Sequence, residues 1–252
     1  LPSQLFDFLT HQHQGAWGRV LDAGTGVNSA TWLAGLPTES LTLVTGSERH
    51  ARQVLERASL RPADRLLVGN WANEGLLAGE RFDTVVADYL VGAVEGFAPY
   101  FQEALFDRLA QLTAGRLYLV GLDPYVVQEP EAESGRVVWE IGRYRDACLL
   151  LAGEQPYREY PAEWVVAQLQ RAGFTVSEAR RFPIRYKARF VNAQIDMALM
   201  RVARLPNTKL AASLVDHGEA LRARALNLAD AEEGLRHGFD YVIVADRQGG
   251  AP

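Results

Sequence analysis

The sequence predicts an α/β protein built on a parallel sheet. Short apolar runs alternate with amphipathic stretches from Arg19 to about Leu122, the rhythm of repeated strand and helix units. The first of these runs ends in Asp22 and turns through Ala23-Gly24-Thr25-Gly26 into a helix, a junction characteristic of such sheets.

Each element has a local reason. Arg19-Val20-Leu21-Asp22 reads as the first strand, and Asn28 to Leu33 as a short helix after the glycine turn. Leu41 to Val44 is the second strand, and Ser47 is placed to cap a helix running to about Ala58, because a serine oxygen satisfies open first-turn amides. Leu66 to Val68 makes a third strand and Thr84 to Ala87, entered through Phe82-Asp83, a fourth. Phe101, Leu105, Leu109 and Leu112 recur at helical spacing before a fifth strand, Leu117 to Leu122. The rhythm then breaks. Asp123 to Gly135, with Pro124, Pro130 and three glutamates, reads as an exposed loop. Val137, Ile141, Tyr144, Cys148 and Leu151 mark a helix stopped at Gly153. Pro161 suits the first turn of the next helix, which closes at Gly173 before a strand, Phe174 to Ser177. Asn207 is placed to cap a long helix through Leu210, Leu214, Leu221, Ala225 and Leu228. A shorter helix is expected from Asp230 to Gly238, and Tyr241 to Ala245 is the last strand. No repeat or long linker divides the chain. One domain over residues 1–252 is expected, with its core at about 15–122, 161–182 and 239–247 and a helical lid of covering segments at about 123–160 and 183–238.

Composition narrows the function classes. The 252 residues suffice for a sizeable core, and 48% hydrophobic with 23% charged residues is ordinary for a globular chain. Twenty-six basic residues against 31 acidic give a net charge of −5, which argues against general binding to nucleic acid or an anionic membrane. The basic residues are arginines except Lys187 and Lys209. The one basic run with interleaved aromatics, Arg180 to Arg189, reads as a solvated face. A single cysteine, Cys148, excludes an internal disulfide framework and suits a reducing cytoplasm, and no apolar run approaches a membrane span. The five histidines lack metal-ligand spacing, so no metal is expected.

The residues at the strand ends carry the chemistry. Gly24 and Gly26 let backbone come close to a ligand, and the open amides of the following helix favour a carboxylate or phosphate. Glu48, about twenty residues past the glycine turn, stands where a carboxylate grips a ribose diol. Asn70 and Trp71 follow the third strand with an amide for an adenine edge and an aromatic plane to stack on it, and Asp88-Tyr89 follows the fourth. Singly, each reads better as a cap, turn or core residue. Together they outline a nucleoside-shaped site.

On these residues the sequence resembles the class I S-adenosylmethionine-dependent methyltransferases over roughly Arg19 to Leu122, and again at Leu169-Gln170-Arg171-Ala172-Gly173-Phe174. The resemblance implies a Rossmann-like, mostly parallel seven-stranded sheet with helices on both faces and an antiparallel last strand. It further implies that Asp22, Gly24, Thr25 and Gly26 hold the methionine part of S-adenosylmethionine, that Glu48 binds the ribose, and that Asn70 and Trp71 meet the adenine. Asp88 would sit beside the sulfonium and the acceptor, as orienter or base, with Tyr89 next to it. The chain departs from the family pattern at Asn28, where a third glycine is common, and at Asn70, where aspartate is commoner. It lacks the Pro-Pro-Tyr signature after Asp88, which sets aside methylation of base amines and of glutamine.

A small-molecule acceptor is therefore expected, and the covering segments supply candidates for an anionic one: Arg143, Tyr144, Arg145, Tyr160 and Arg185, with Arg158 and Arg189 as further cations. An aminopropyltransferase-like enzyme, a nicotinamide-dependent oxidoreductase and a non-enzymatic cofactor-binding subunit are the competing readings. Acceptor, pathway and oligomeric state are not encoded in any motif.

Overall fold

A computed structural model describes residues 4–247. Among them seven strands form one sheet in the order β3-β2-β1-β4-β5-β7-β6. Its strands are β1 (Arg19–Asp22), β2 (Ser40–Thr45), β3 (Arg65–Val68), β4 (Phe82–Asp88), β5 (Thr113–Leu122), β6 (Phe174–Tyr186) and β7 (Leu235–Arg247). β1, β2, β3, β4 and β5 pair in parallel, and the last strands bring the antiparallel part. The expected sheet, with its mostly parallel order and antiparallel end, is present.

The chain divides into two compact units. The first comprises residues 1–122, 158–181 and 241–252, of which 4–122, 158–181 and 241–247 are described. It holds α1 (Gln4–Gln12), α2 (Val27–Ala34), α3 (Glu48–Arg57), the short α4 (Leu90–Ala93), α5 (Gln102–Leu112) and, after α6 (Glu133–Leu151) of the second unit, α7 (Ala162–Arg171). Strand alternation sorts its layers, because successive side chains point to opposite faces. Leu21, Val85, Leu117, Leu119 and Ile243 join Val91, Leu105, Leu109, Val165 and Leu169 in one core cluster. Leu43 turns the other way and packs with Ala30 and Val54 of α2 and α3. Aromatic rings add to that second face: Phe6 stacks on Trp32 at 4.6 Å, and Trp17 meets Trp32 edge-on at 5.8 Å.

The second unit comprises residues 123–157 and 182–240. Its helices are α6, α8 (Ala188–Val202) and α9 (Thr208–Ala231). Each buries one stripe: Val137, Ile141, Tyr144 and Cys148 on α6, Val191, Ile195, Ala198 and Val202 on α8, and Gly218, Leu221, Ala225 and Ala229 on α9. The caps read from sequence are both formed. Ser47 accepts from the His50 amide and Asn207 from the Leu210 amide.

The structure departs from expectation at four places. The helix expected from Asp230 to Gly238 does not exist as such: α9 ends at Ala231, Glu233 and Gly234 take positive φ of 55° and 114°, and β7 begins at Leu235. Helix-compatible residues there yield to ladder pairing and to the Ser134 hydroxyl, which accepts from the Arg236 amide at 2.7 Å. β6 runs to Tyr186 rather than Ser177, and its Pro183 is tolerated because β6 is an edge strand. α8 is not among the expected elements, although its buried residues recur at helical spacing. Glu133 to Gly135 also belong to α6 rather than to the preceding loop.

Leu21, wholly buried in the central strand, and Leu55, 61% exposed on α3, set a contrast. Leu21→Ala is expected to cost about 3 kcal/mol in urea denaturation and Leu55→Ala within about 0.5 kcal/mol. Similar losses at both positions would contradict this packing.

Candidate functional site

Because β1 leads on to β2 and β3 on one side while β4 leads to β5 on the other, the topological switch point lies between β1 and β4. Asp22 ends β1 and Asp88 ends β4, so the two carboxylates sit on either side of that point.

The loop after β1 is held from several directions. The Ala23 amide donates to the Val86 carbonyl and the Thr25 amide to the Val44 carbonyl, each at 2.8 Å. The Trp71 indole N–H donates to the Ala23 carbonyl at 2.8 Å. Asp22 is fully buried, accepts from the Thr25 hydroxyl on Oδ2, and keeps Oδ1 buried without a hydrogen-bonding partner. Desolvation raises its carboxyl from 3.8 to about 6, and the Thr25 hydroxyl, foremost among the neighbouring donors, offsets only part of that.

The two glycines differ. At Gly24 an added Cβ would lie 3.0 Å from Leu90 Cβ and 3.3 Å from the Asp88 carbonyl, so this glycine lets the β1 and β4 loops touch. At Gly26 nothing lies within 4 Å of such an atom. The backbone that can be approached by a ligand is thus Gly26 at the start of α2, and the close neighbour of Gly24 is the chain itself.

Asp88 is half-buried at the end of β4. Tyr89 follows it in the left-handed region, φ 50°, with its amide donating to the Val120 carbonyl at 2.9 Å. A non-glycine residue held there stores backbone strain, a feature that concentrates at functional loops.

Beyond β2, Glu48 is exposed on the first turn of α3, three residues past Thr45 at the strand end. Beyond β3, Asn70 uses its carboxamide locally: Oδ1 accepts from the Ala72 amide at 2.9 Å and Nδ2 donates to the Phe97 carbonyl at 2.7 Å. Trp71 is only 5% exposed and lies in the core, so its ring supports the glycine loop and offers no open stacking plane. The open ring beside Asn70 is Phe97, 40% exposed, which packs on the backbone of Gly46. Sequence reasoning missed Phe97 because it lies 27 positions from Asn70, outside any strand-end motif.

The residues suggested for an anionic acceptor each have protein partners. In the second unit, Arg145 donates to Asp146, to the Tyr125 hydroxyl and to Gln194, and buried Tyr144 donates its hydroxyl to the Leu214 carbonyl at 2.8 Å. Arg185 pairs with Glu233 at 3.8 Å, and Arg143 lies over the Trp139 ring at 5.5 Å. In the first unit, Arg158 lies 3.7 Å from Glu95, and Tyr160 stacks on Trp164 with ring centres 4.0 Å apart. Among the described residues no cluster of three or more histidine, cysteine, aspartate or glutamate side chains could hold a metal ion. Nor is any described helix long and apolar enough to cross a membrane.

No protein-family model matches the sequence, and no curated protein matches it significantly. Solved structures do resemble the chain. A S-adenosylmethionine-dependent methyltransferase from Geobacter sulfurreducens, in complex with S-adenosylhomocysteine, matches with a TM-score of 0.54 at 14% identity, covering 98% of this chain and 92% of that one. The chain has the class I methyltransferase fold. The cyclopropane synthase MmaA2 from Mycobacterium tuberculosis matches with a TM-score of 0.55 at 16% identity, over 95% of this chain and 82% of that one. The [4+2]-cyclase SpnF shares the fold too, with a TM-score of 0.54 at 15% identity over 97% and 80% of the two chains. At such identities the likeness is one of fold.

The raised Asp22 carboxyl has a pH consequence. Its acid form is favoured in the folded chain, so its contribution to stability is complete below 3.8 and is lost as pH rises through about 6. Asp22→Asn removes that dependence. Relative to the parent, the variant is expected to gain stability between about pH 4 and about pH 7, by on the order of 3 kcal/mol at most. Parallel stability curves in urea titrations across this range would place the Asp22 carboxyl near its ordinary value instead.

Proposed function

We propose that this protein is an enzyme that binds S-adenosylmethionine at the carboxyl edge of β1, β2, β3 and β4 and methylates a small molecule. The observation that carries this reading is the approachable backbone at Gly26 beside the buried Asp22 carboxylate, at the switch point of a methyltransferase fold. The residues present fit the cofactor: open space at Gly26 admits it, and the orphaned Asp22 Oδ1 awaits a donor. When bound, the cofactor supplies an electrophilic methyl group on a sulfonium.

The chain's own residues divide the remaining work. Asp22, Thr25 and Gly26 hold the amino-acid end of the cofactor, with Gly24 keeping the β1 and β4 loops in contact. Glu48 reaches toward the ribose hydroxyls from the first turn of α3. Asn70 meets the adenine edge, and Phe97 takes over the stacking face first assigned to Trp71. Asp88 orients the acceptor and accepts its proton where the acceptor carries one. Positioning carries most of the catalysis, because an in-line displacement depends on aligning nucleophile and methyl. A cytoplasmic setting, suggested by the single buried Cys148, belongs to the same proposal.

A second reading has one observation in its favour. The fold likeness to a [4+2]-cyclase admits an enzyme that binds the nucleoside without transferring its methyl.

Calorimetry with S-adenosylhomocysteine and with NAD tests the proposal. S-adenosylhomocysteine is expected to bind and raise Tm, and NAD is not. Gly26→Val is expected to weaken S-adenosylhomocysteine at least tenfold, about 1.4 kcal/mol, with Tm of the free protein little changed. NAD binding without a response to S-adenosylhomocysteine would refute the assignment. A metabolite screen for the gain of one methyl then separates methyl transfer from the second reading. Asp88→Asn with full turnover would remove Asp88 as the proton acceptor.

A further inference from the structure

Three short segments meet at the β2 and β3 side of the carboxyl edge. Gly46 follows β2, Asn70 follows β3, and Phe97 lies between α4 and α5. The first two segments are joined through backbone, because the Gly69 amide donates to the Thr45 carbonyl at 2.9 Å. Phe97 is held by both. Its ring packs on Gly46, where an added Cβ would lie 2.7 Å from the ring Cδ1, and its carbonyl accepts from Asn70 Nδ2 at 2.7 Å. The stretch that carries Phe97 is anchored from the other side as well. The Phe97 amide donates to the Val94 carbonyl at 3.0 Å, and the buried Glu95 carboxylate accepts from the Tyr100 amide at 3.0 Å and from the Gln102 carboxamide at 2.7 Å.

The chemistry at Asn70 demands a carboxamide. Oδ1 accepts from the Ala72 amide, so that side of the group must be an acceptor, and Nδ2 faces the Phe97 carbonyl, so the other side must be a donor. An ionised aspartate has the same shape but no proton to give. It would keep the bond to Ala72 and set two acceptor oxygens against each other at Phe97. Asn70 is also the position at which the chain departs from the commoner aspartate of the class I pattern. The departure thus coincides with a contact that aspartate does not make. A second N–H and a second lone pair remain on the carboxamide for the adenine edge.

We propose that Asn70 is a positioning residue: it clamps the Phe97 backbone and, with Gly46 beneath the ring, fixes the plane on which the cofactor's adenine stacks. This deepens the S-adenosylmethionine reading of the same edge and rests on it. The Phe97 ring is 40% exposed, so burial supplies only part of what holds it. The clamp acts on the backbone of the residue that carries the ring. A stacking face ordered before the ligand arrives spares the complex the entropy of ordering it on binding. Asn70 therefore serves the cofactor through Phe97 as well as through its own polar atoms.

A double-mutant cycle on the full chain, read as S-adenosylhomocysteine affinity by calorimetry, tests the proposal. Phe97→Ala is expected to weaken binding at least about fivefold, the order of one lost base-stacking contact. Asn70→Asp, nearly isosteric, should also weaken it at least about fivefold in the parent, but by less than about twofold in the Phe97→Ala background, where no ring is left to position. Gly46→Ala, whose added methyl must displace the ring, should show the same dependence on Phe97. General damage to the fold, or an Asn70 acting through adenine alone, would cost the same factor in both backgrounds. That result overturns the proposal, as does unchanged affinity in Phe97→Ala or in Asn70→Asp, and each leaves the cofactor reading standing. Absence of S-adenosylhomocysteine binding to the parent chain overturns both.

Discussion

The buried Asp22 carboxylate, and the loop that follows it, is the constraint on which the site depends. An unpaired charge at full burial would be costly, and here it is met by the Thr25 hydroxyl and by a shift toward the acid form. The same loop is pinned to β4 through Val86, to β2 through Val44 and to the segment after β3 through the Trp71 indole. Gly24 then brings it against Asp88 and Leu90. Four strand ends are thereby referred to one short stretch of backbone. Because interiors are close-packed, a displacement there is transmitted to all of them.

Strain and charge are concentrated on the same edge. Tyr89 keeps a left-handed backbone directly after Asp88, and its amide is tied to β5. The Glu159 carboxylate lies against Gly92 of α4, a glycine that leaves no room for a side chain. By contrast, Arg145 of the second unit has a carboxylate, a phenol and a carboxamide as partners within that unit. Arginine is this chain's usual cation, and its abundance therefore says little about where an anion would bind.

The local signals proved the most readable in the sequence. Ser47 and Asn207 cap their helices because a cap concerns only neighbouring residues. The strand with its glycine turn was legible for the same reason, as was the alternation that dictates a parallel sheet. Misreadings fell where distant partners decide. The polar stretch with Pro183 becomes strand only because it lies at a sheet edge, and the charged residues after Asp230 stop being helix because β7 has strands to pair with.

The same division runs through the site. Sequence by itself determined which strand ends carry Asp22, Gly26, Asn70 and Asp88, since each follows a strand that its own residues specify. Tertiary structure alone decided that Trp71 faces inward while Phe97 lies open, that Gly24 is packed by the chain and Gly26 is not, and that Glu159 lies against Gly92. The physical reason is that propensity, capping and turn chemistry act over a few residues. Burial, by contrast, depends on atoms brought together from 27 to nearly 70 positions away, such as Phe97 with Asn70 and Glu159 with Gly92.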